Sequence, residues 1–109
     1  MIFPIQLSKP AQQDLKGIWR ELAEYRLEVA DKQIKRIEKK ILILKQFPLA
    51  GRLREDLTPN IRSIPVDNFV VFYQILQQND RSIVEIVRVT DGRRDLNRLF
   101  TPDDSDEPD

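Results

Sequence analysis

The spacing of the apolar residues changes once along this chain, and that change decides which kind of fold is open to it. Up to Leu44 the apolar positions recur by threes and fours. Leu15, Ile18, Trp19 and Leu22 make one run, and Ala30, Ile34, Ile37, Ile41 and Leu44 make a second. Each run is one stripe along a helix, with Lys35, Arg36, Lys39 and Lys40 on the other face of the second. Pro48 halts the helical pattern, because its ring and missing N–H break the helix ladder. Beyond it the apolar residues come in short blocks between turn dipeptides, the texture of strands. A chain that is helical first and stranded afterwards must bury helix stripes against a sheet, so the fold class is α+β.

Local signals sharpen this outline. Ile2 to Leu7 alternates, with Phe3, Ile5 and Leu7 on one side, and reads as a short strand. Ser8 is a helix cap, with Pro10 tolerated in the first turn. A break at Tyr25 to Glu28 divides the helices, and so short a join makes them an antiparallel hairpin. Pro48 to Pro59, with Gly51 permitting a sharp turn, reads as a surface loop. Ile61 to Val66 leads through Asp67-Asn68, a two-residue hairpin turn, into Phe69 to Leu76. That block is apolar on both faces except at Tyr73 and Gln74, which suits a central strand with core aromatics. A polar turn from Gln77 to Arg81 precedes Ile83 to Val89, a strand interrupted by Glu85 and Arg88. Asp91-Gly92 closes it, with Gly92 ending the strand or taking a positive φ. Arg93 to Phe100 can form one or two helical turns.

The expected order is β-α-α-β-β-β, a helix hairpin packed on a small, mainly antiparallel sheet. Residues 1–102 are expected to form a single domain. Residues 103–109 are too acidic and too poor in apolar groups to pack, and are expected to be a disordered tail.

Composition narrows the chemistry. The 109 residues include no cysteine and no histidine. That removes disulfides, thiolate chemistry, the commonest general base and the favoured metal ligand. The expectation is no cofactor and no metal. The apolar opening residues lack the basic flank of a signal peptide, and no run reaches the length of a membrane span. A cytoplasmic location without membrane contact is therefore expected.

The formal net charge of zero hides an uneven distribution. Five of the 18 acids lie in the last seven residues: Asp103, Asp104, Asp106, Glu107 and Asp109. Lysine dominates the helical half, and none follows Lys45. Every later base is arginine: Arg52, Arg54, Arg62, Arg81, Arg88, Arg93, Arg94 and Arg98. Arginine presents a planar, permanently charged fork suited to carboxylate or phosphate. Arg62 lies on the same face as Ile64 and Val66, and Arg88 alternates with Val87 and Val89, so both are expected on one sheet face, near the loop carrying Arg52 and Arg54. An arginine within a strand must find an acceptor or reach solvent. Either Glu55, Asp56, Glu85 or Asp95 satisfies it internally, or the arginines form a cationic patch for an acidic partner or nucleic acid. Trp19 lies on the apolar stripe, either in the core or beneath a partner. The acidic tail could reach back over Arg93, Arg94 and Arg98 and screen them.

Four blocks carry a resemblance. The helix hairpin runs into Phe47-Pro48-Leu49-Ala50-Gly51-Arg52-Leu53-Arg54, and Ile61-Arg62-Ser63-Ile64-Pro65-Val66 follows. Then come Phe69-Val70-Val71-Phe72-Tyr73 and Ile86-Val87-Arg88-Val89-Thr90-Asp91-Gly92-Arg93-Arg94-Asp95-Leu96. In this order, over roughly residues 3 to 100, they resemble the ParE branch of the ParE/RelE toxins of type II toxin–antitoxin systems. The resemblance implies a cognate antitoxin as partner, with Trp19, Arg62, Tyr73 and Arg88 as its contacts, and no operator DNA binding by the toxin alone.

It also frames the activity. RelE-like relatives cleave mRNA on the ribosome with lysines on the first hairpin strand, an arginine after the aromatic that opens the next strand, a loop arginine and a C-terminal tyrosine. Here the first strand offers Ile61, Arg62 and Ser63, Val70 follows Phe69, and Phe100 stands at the tyrosine position. Arg94 alone matches. An RNase would have to rely on Arg62, Arg88 and Arg94 for charge stabilisation, with no convincing acid or base. ParE-like relatives are instead binders that inhibit DNA gyrase without an active site of their own. The expected target-binding residues are Arg52, Arg54, Arg62, Arg88, Arg93 and Arg94. A rewired mRNA endonuclease, with ribosome and mRNA as partners, is the alternative.

Overall fold

The computed structural model describes residues 2–93 and 96–100, with only the backbone of 97 and 98. A short strand, β1 (Ile5–Leu7), leads into two helices, α1 (Lys9–Ala23) and α2 (Leu27–Ile43). Four strands follow: β2 (Arg52–Leu53), β3 (Arg62–Val66), β4 (Phe69–Gln78) and β5 (Arg81–Asp91). One helical turn, α3 (Leu96–Leu99), ends the described chain. The sheet order is β1-β5-β4-β3-β2, with β1 parallel to β5 and every other pair antiparallel.

The caps and turns form for the reasons read in the sequence. The Ser8 hydroxyl accepts from Ala11 N at 3.1 Å and donates to the Val87 carbonyl at 2.9 Å. It thus closes α1 and ties it to β5, a cap worth about 1 kcal/mol. Asp67 takes φ 56° in the two-residue turn between β3 and β4. Asn79 and Asp80, at φ 50° and 64°, make the turn between β4 and β5. Both residues at positive φ match the twist of a tight hairpin, so β4 and β5 run further than their apolar blocks suggest.

The helix hairpin covers one sheet face. Ile18, Ile37, Ile41 and Leu44 meet Ile64, Val71, Tyr73, Val84, Ile86 and Val89 in a single core. Fully buried Phe72 points to the other face, where the ring of Phe100 meets it edge-on at 5.0 Å between centroids.

Several expectations need correcting. The segment after Pro48 is not loop throughout, because Arg52 and Leu53 pair with Ser63 and Arg62 as a two-residue edge strand. Of the two roles open to Gly92 it takes the first, following the end of β5 at Asp91 without a positive φ. Its place is set by proximity, since its N–H donates to Asn68 O at 2.8 Å. Trp19 is not core: it is 38% exposed, and its indole N–H donates to Asp31 at 2.8 Å. No described helix is long and apolar enough to cross a membrane. The tail 103–109, Arg94, Asp95 and the side chain of Arg98 lie outside the described residues, and with them the idea of a screening tail.

Candidate functional site: a braced loop and two segregated arginines

One inserted residue reorganises the arginines. Along the β4–β5 pair, Phe72 faces Arg88 while Tyr73 faces Ile86, which leaves Val87 as a β-bulge. Unbroken alternation would have put Arg88 opposite Val71, on the face of Arg62. The bulge turns Arg88 to the face of Phe72, while Arg62, opposite Tyr73, stays on the helix-covered side. Arg62 and Arg88 therefore lie on opposite faces, contrary to the reading from periodicity.

Among the described residues, neither arginine pairs with Glu55, Asp56 or Glu85, and Asp95 lies outside them. The Arg88 fork is held by Asp14 of α1, at 2.8 Å from Nε and 2.9 Å from Nη2, and the same carboxylate accepts from Val89 N at 2.9 Å. With side chains 25% and 13% exposed, this pair is largely withdrawn from water. Hydrogen bonding to Asp14 pushes the Arg88 guanidinium further above its already high range. Asp14 thus satisfies the β5 backbone beyond the end of β1, and Arg88 balances its charge. Sequence spacing gives no hint of a partner 74 residues away.

Arg62 braces a loop. Its Nη1 donates to the Gly51 carbonyl at 2.8 Å. From the same face Tyr73, with no exposed surface, donates its hydroxyl proton to Pro48 O at 2.7 Å and accepts from Gly51 N at 2.7 Å. Burial pushes the phenol above its usual value, so it stays neutral and able to donate. Gly51 is dictated by this contact: a Cβ would lie 2.5 Å from the Tyr73 hydroxyl and 2.9 Å from Ser63 O. Tyr73 therefore offers no side-chain surface to an antitoxin, and it acts from below by fixing the loop.

That loop displays what its braces leave outside. Phe47, Leu49 and Leu53 are 61%, 66% and 45% exposed, and Arg52 is exposed beside them. Arg54 is paired with Asp56 at 2.9–3.0 Å, which holds that carboxyl below the usual aspartate range. Arg93 is exposed and bonded to Asp91 next to it in sequence. Sequence reasoning found the arginines but missed the apolar residues between them, because a loop has no period to betray an apolar group in solvent.

Among the described residues no group of three or more acids could hold a metal. Every buried side-chain nitrogen and oxygen among them has a hydrogen-bond partner, so no orphaned donor points to a missing ligand. A groove of about 810 Å³ runs between α1 and the far end of β4 and β5, with Gly17, Ile18 and Tyr25 on one wall and Phe69 and Val89 on the other.

The comparisons with known proteins agree with this architecture. Residues 5–96 match the family model described as the ParE toxin of the type II toxin–antitoxin system parDE. Toxin ParE3 of Caulobacter vibrioides is 36% identical over 90 residues, covering 82% of this chain and 86% of that one. A chain of the chromosomal ParDE system of P. aeruginosa superposes with a TM-score of 0.71 at 18% identity, covering 83% and 96% of the two chains. A mutant E. coli toxin RelE in the free state gives 0.62 at 17% identity, covering 92% and 94%. The two structures speak for the fold, and the family match with the ParE3 relative speaks for descent: the chain belongs to the ParE toxin family of type II toxin–antitoxin systems.

Proposed function

We propose that this toxin arrests growth by binding DNA gyrase, with no catalytic step of its own, and that a cognate antitoxin neutralises it by covering its binding surface. The observation that carries the non-catalytic reading is the bulge at Val87. An RNase would need Arg62 and Arg88 around one phosphate, yet they lie on opposite faces, each engaged inside the chain. Val70 and Phe100 add no acid or base, and Phe100 is packed on Phe72.

The surface offered to a target is the braced loop, with Arg52 among Phe47, Leu49 and Leu53. An arginine set among exposed apolar groups on a rigid support is the composition of a binding hot spot. Arg62 and Tyr73 contribute by keeping that loop in one shape, which lowers the ordering cost of association.

A supercoiling assay with purified gyrase tests the reading. The wild-type chain should inhibit supercoiling, and Arg52→Ala should weaken that inhibition by about tenfold, the effect of losing roughly 1.4 kcal/mol at an interface. Codon-positioned mRNA cleavage on programmed ribosomes, with gyrase unaffected, would instead establish the RNase alternative.

A further inference from the structure

From Lys39 to Arg54 the chain holds five bases and no acid. The same stretch carries half of the large apolar side chains that the described residues leave exposed, Ile43, Phe47, Leu49 and Leu53 among them. Backbone contacts gather these groups at one end of the molecule. The chain leaving α2 keeps a helical path, with Phe47 N donating to Ile43 O at 3.0 Å. Ile43 and Phe47 therefore share a face, and exposed Lys39 stands one turn before them. Phe3 N donates to Lys45 O at 2.8 Å, which brings exposed Ile2 to the same end. Leu53 pairs with Arg62 on the helix side of the sheet, in the row from which Arg62 and Tyr73 hold Pro48 and Gly51. Lys39 makes no hydrogen bond or ion pair among the described residues. The acids that follow the stretch are taken, Asp56 by Arg54 and Glu55 by the Asn60 N–H. Among the described residues, hydrocarbon and unanswered positive charge thus share one surface.

On the reading that gyrase is the target, we propose that what this surface grips is polypeptide and not DNA. The occupant is an apolar segment of the enzyme bearing carboxylates, seated on Ile43, Phe47, Leu49 and Leu53 with its acids towards Lys39 and Arg52. The toxin therefore recognises gyrase with no DNA present, and the last turn of α2 extends the contact beyond the braced loop. Charge complementarity and hydrocarbon together select this occupant, since an apolar centre with a charged rim is the anatomy of a protein–protein contact. DNA affinity comes instead from many cations laid along phosphates. Here the centre is hydrocarbon, and Arg54, the remaining arginine of the stretch, is already held by Asp56.

Gln46 is exposed between Ile43 and Phe47, so p-benzoylphenylalanine placed there reports what lies against the surface. Irradiation with purified gyrase should cross-link the toxin to a gyrase subunit, in the same yield with and without linear DNA. Calorimetry with DNA-free gyrase measures the two parts of the contact. Ile43→Ala and Lys39→Glu, at exposed positions, should leave the circular dichroism unchanged. Ile43→Ala should weaken binding about tenfold at any salt concentration. Lys39→Glu should weaken it about fivefold or more at low salt and much less at about 0.5 M salt, where screening is strong. Full-strength binding by both variants, with no cross-link from position 46, overturns this surface and leaves the gyrase reading standing. Binding that needs DNA, with the cross-link on DNA, replaces the polypeptide occupant by a nucleic acid. No binding with or without DNA, together with uninhibited supercoiling, overturns both readings.

Discussion

Replacing Tyr73 with phenylalanine removes one oxygen and leaves the ring in place, which isolates the brace of the candidate loop. The hydroxyl bridges Gly51 N and Pro48 O, each at 2.7 Å, with the side chain fully enclosed. A net hydrogen bond is worth about 1 kcal/mol, and a buried N–H left without an acceptor costs roughly 1–3 kcal/mol. The partly exposed Pro48 carbonyl can turn to water, so the expected loss is about 2–3 kcal/mol, dominated by Gly51 N. For a domain of this size that lowers Tm by about 10–20 °C, at about 4–8 °C per kcal/mol. Urea denaturation at unchanged m value measures it directly. A loss below about 0.5 kcal/mol would refute the brace, since water would then be replacing the hydroxyl at no cost.

Two further features make this test specific. Burial raises the Tyr73 phenol above its ordinary value, so the folded state holds the proton more tightly than the unfolded chain. The stabilisation is therefore complete below the ordinary tyrosine value near 10 and is lost as pH rises through the folded value. Tyr73→Phe should erase that alkaline component, seen as the difference between the two proteins. The second feature is the close approach at Gly51, where a Cβ meets the Tyr73 hydroxyl at 2.5 Å, its Cε1 at 2.6 Å and Ser63 O at 2.9 Å. Gly51→Ala should destabilise the wild type strongly and the phenylalanine variant less, because one of three obstructions has gone. A coupling of about 0.5–3 kcal/mol in the direction of rescue is expected, and strict additivity would mean that loop and ring do not touch.

Three other outcomes follow from the geometry. Asp14→Ala strips the acceptor from both Arg88 and Val89 N, and should cost about 2–4 kcal/mol by denaturation, against less than about 1 kcal/mol for an exposed pair. Gly17→Ala should stabilise the free chain by about 0.5–1 kcal/mol, because α1 regains helix propensity and the new methyl meets nothing within 4 Å. The Asp56 carboxyl, followed by NMR, should titrate below the ordinary aspartate value and return towards it in Arg54→Ala, the stability it contributes being present above that value and fading as pH falls through the lowered one.

Where the sequence was legible, one local rule sufficed. The stripes at Leu15–Leu22 and Ala30–Leu44 gave the hairpin, and the Ser8 cap and the Asp67-Asn68 turn depend on neighbours within a few residues. What stayed hidden depends on register or on distance. A bulge changes which face a strand residue takes without altering the pattern of residue types, so Arg88 could be recognised as unusual but not placed. Asp14 sat within an ordinary polar helix face. Tyr73 looked like a core aromatic, as it is, yet its hydroxyl acts on a loop 22–25 residues earlier. Trp19 went the other way: it belongs to the helical period but lies at its margin, where the α1–α2 seam opens.

These placements together explain why several of the described arginines are not left for a partner. A guanidinium inside a strand costs too much to bury alone, so Arg88 takes Asp14 and Arg62 takes a backbone carbonyl, and both become part of the scaffold. Arg54 and Arg93 are engaged by near neighbours in sequence. Arg52 is different: it lies on an edge strand of two residues, where no third strand covers its side chain and the braced loop fixes its position. Counting arginines therefore overstates the binding surface, and the useful distinction is between forks that hold the fold and those held by it. Arg52→Ala should accordingly change unfolding by less than about 0.5 kcal/mol, as surface substitutions do, while reducing target inhibition. Arg62→Ala should disturb both together. If Arg52→Ala destabilised the chain as much as Arg62→Ala, Arg52 would belong to the scaffold and the loop would lose its cation for a target.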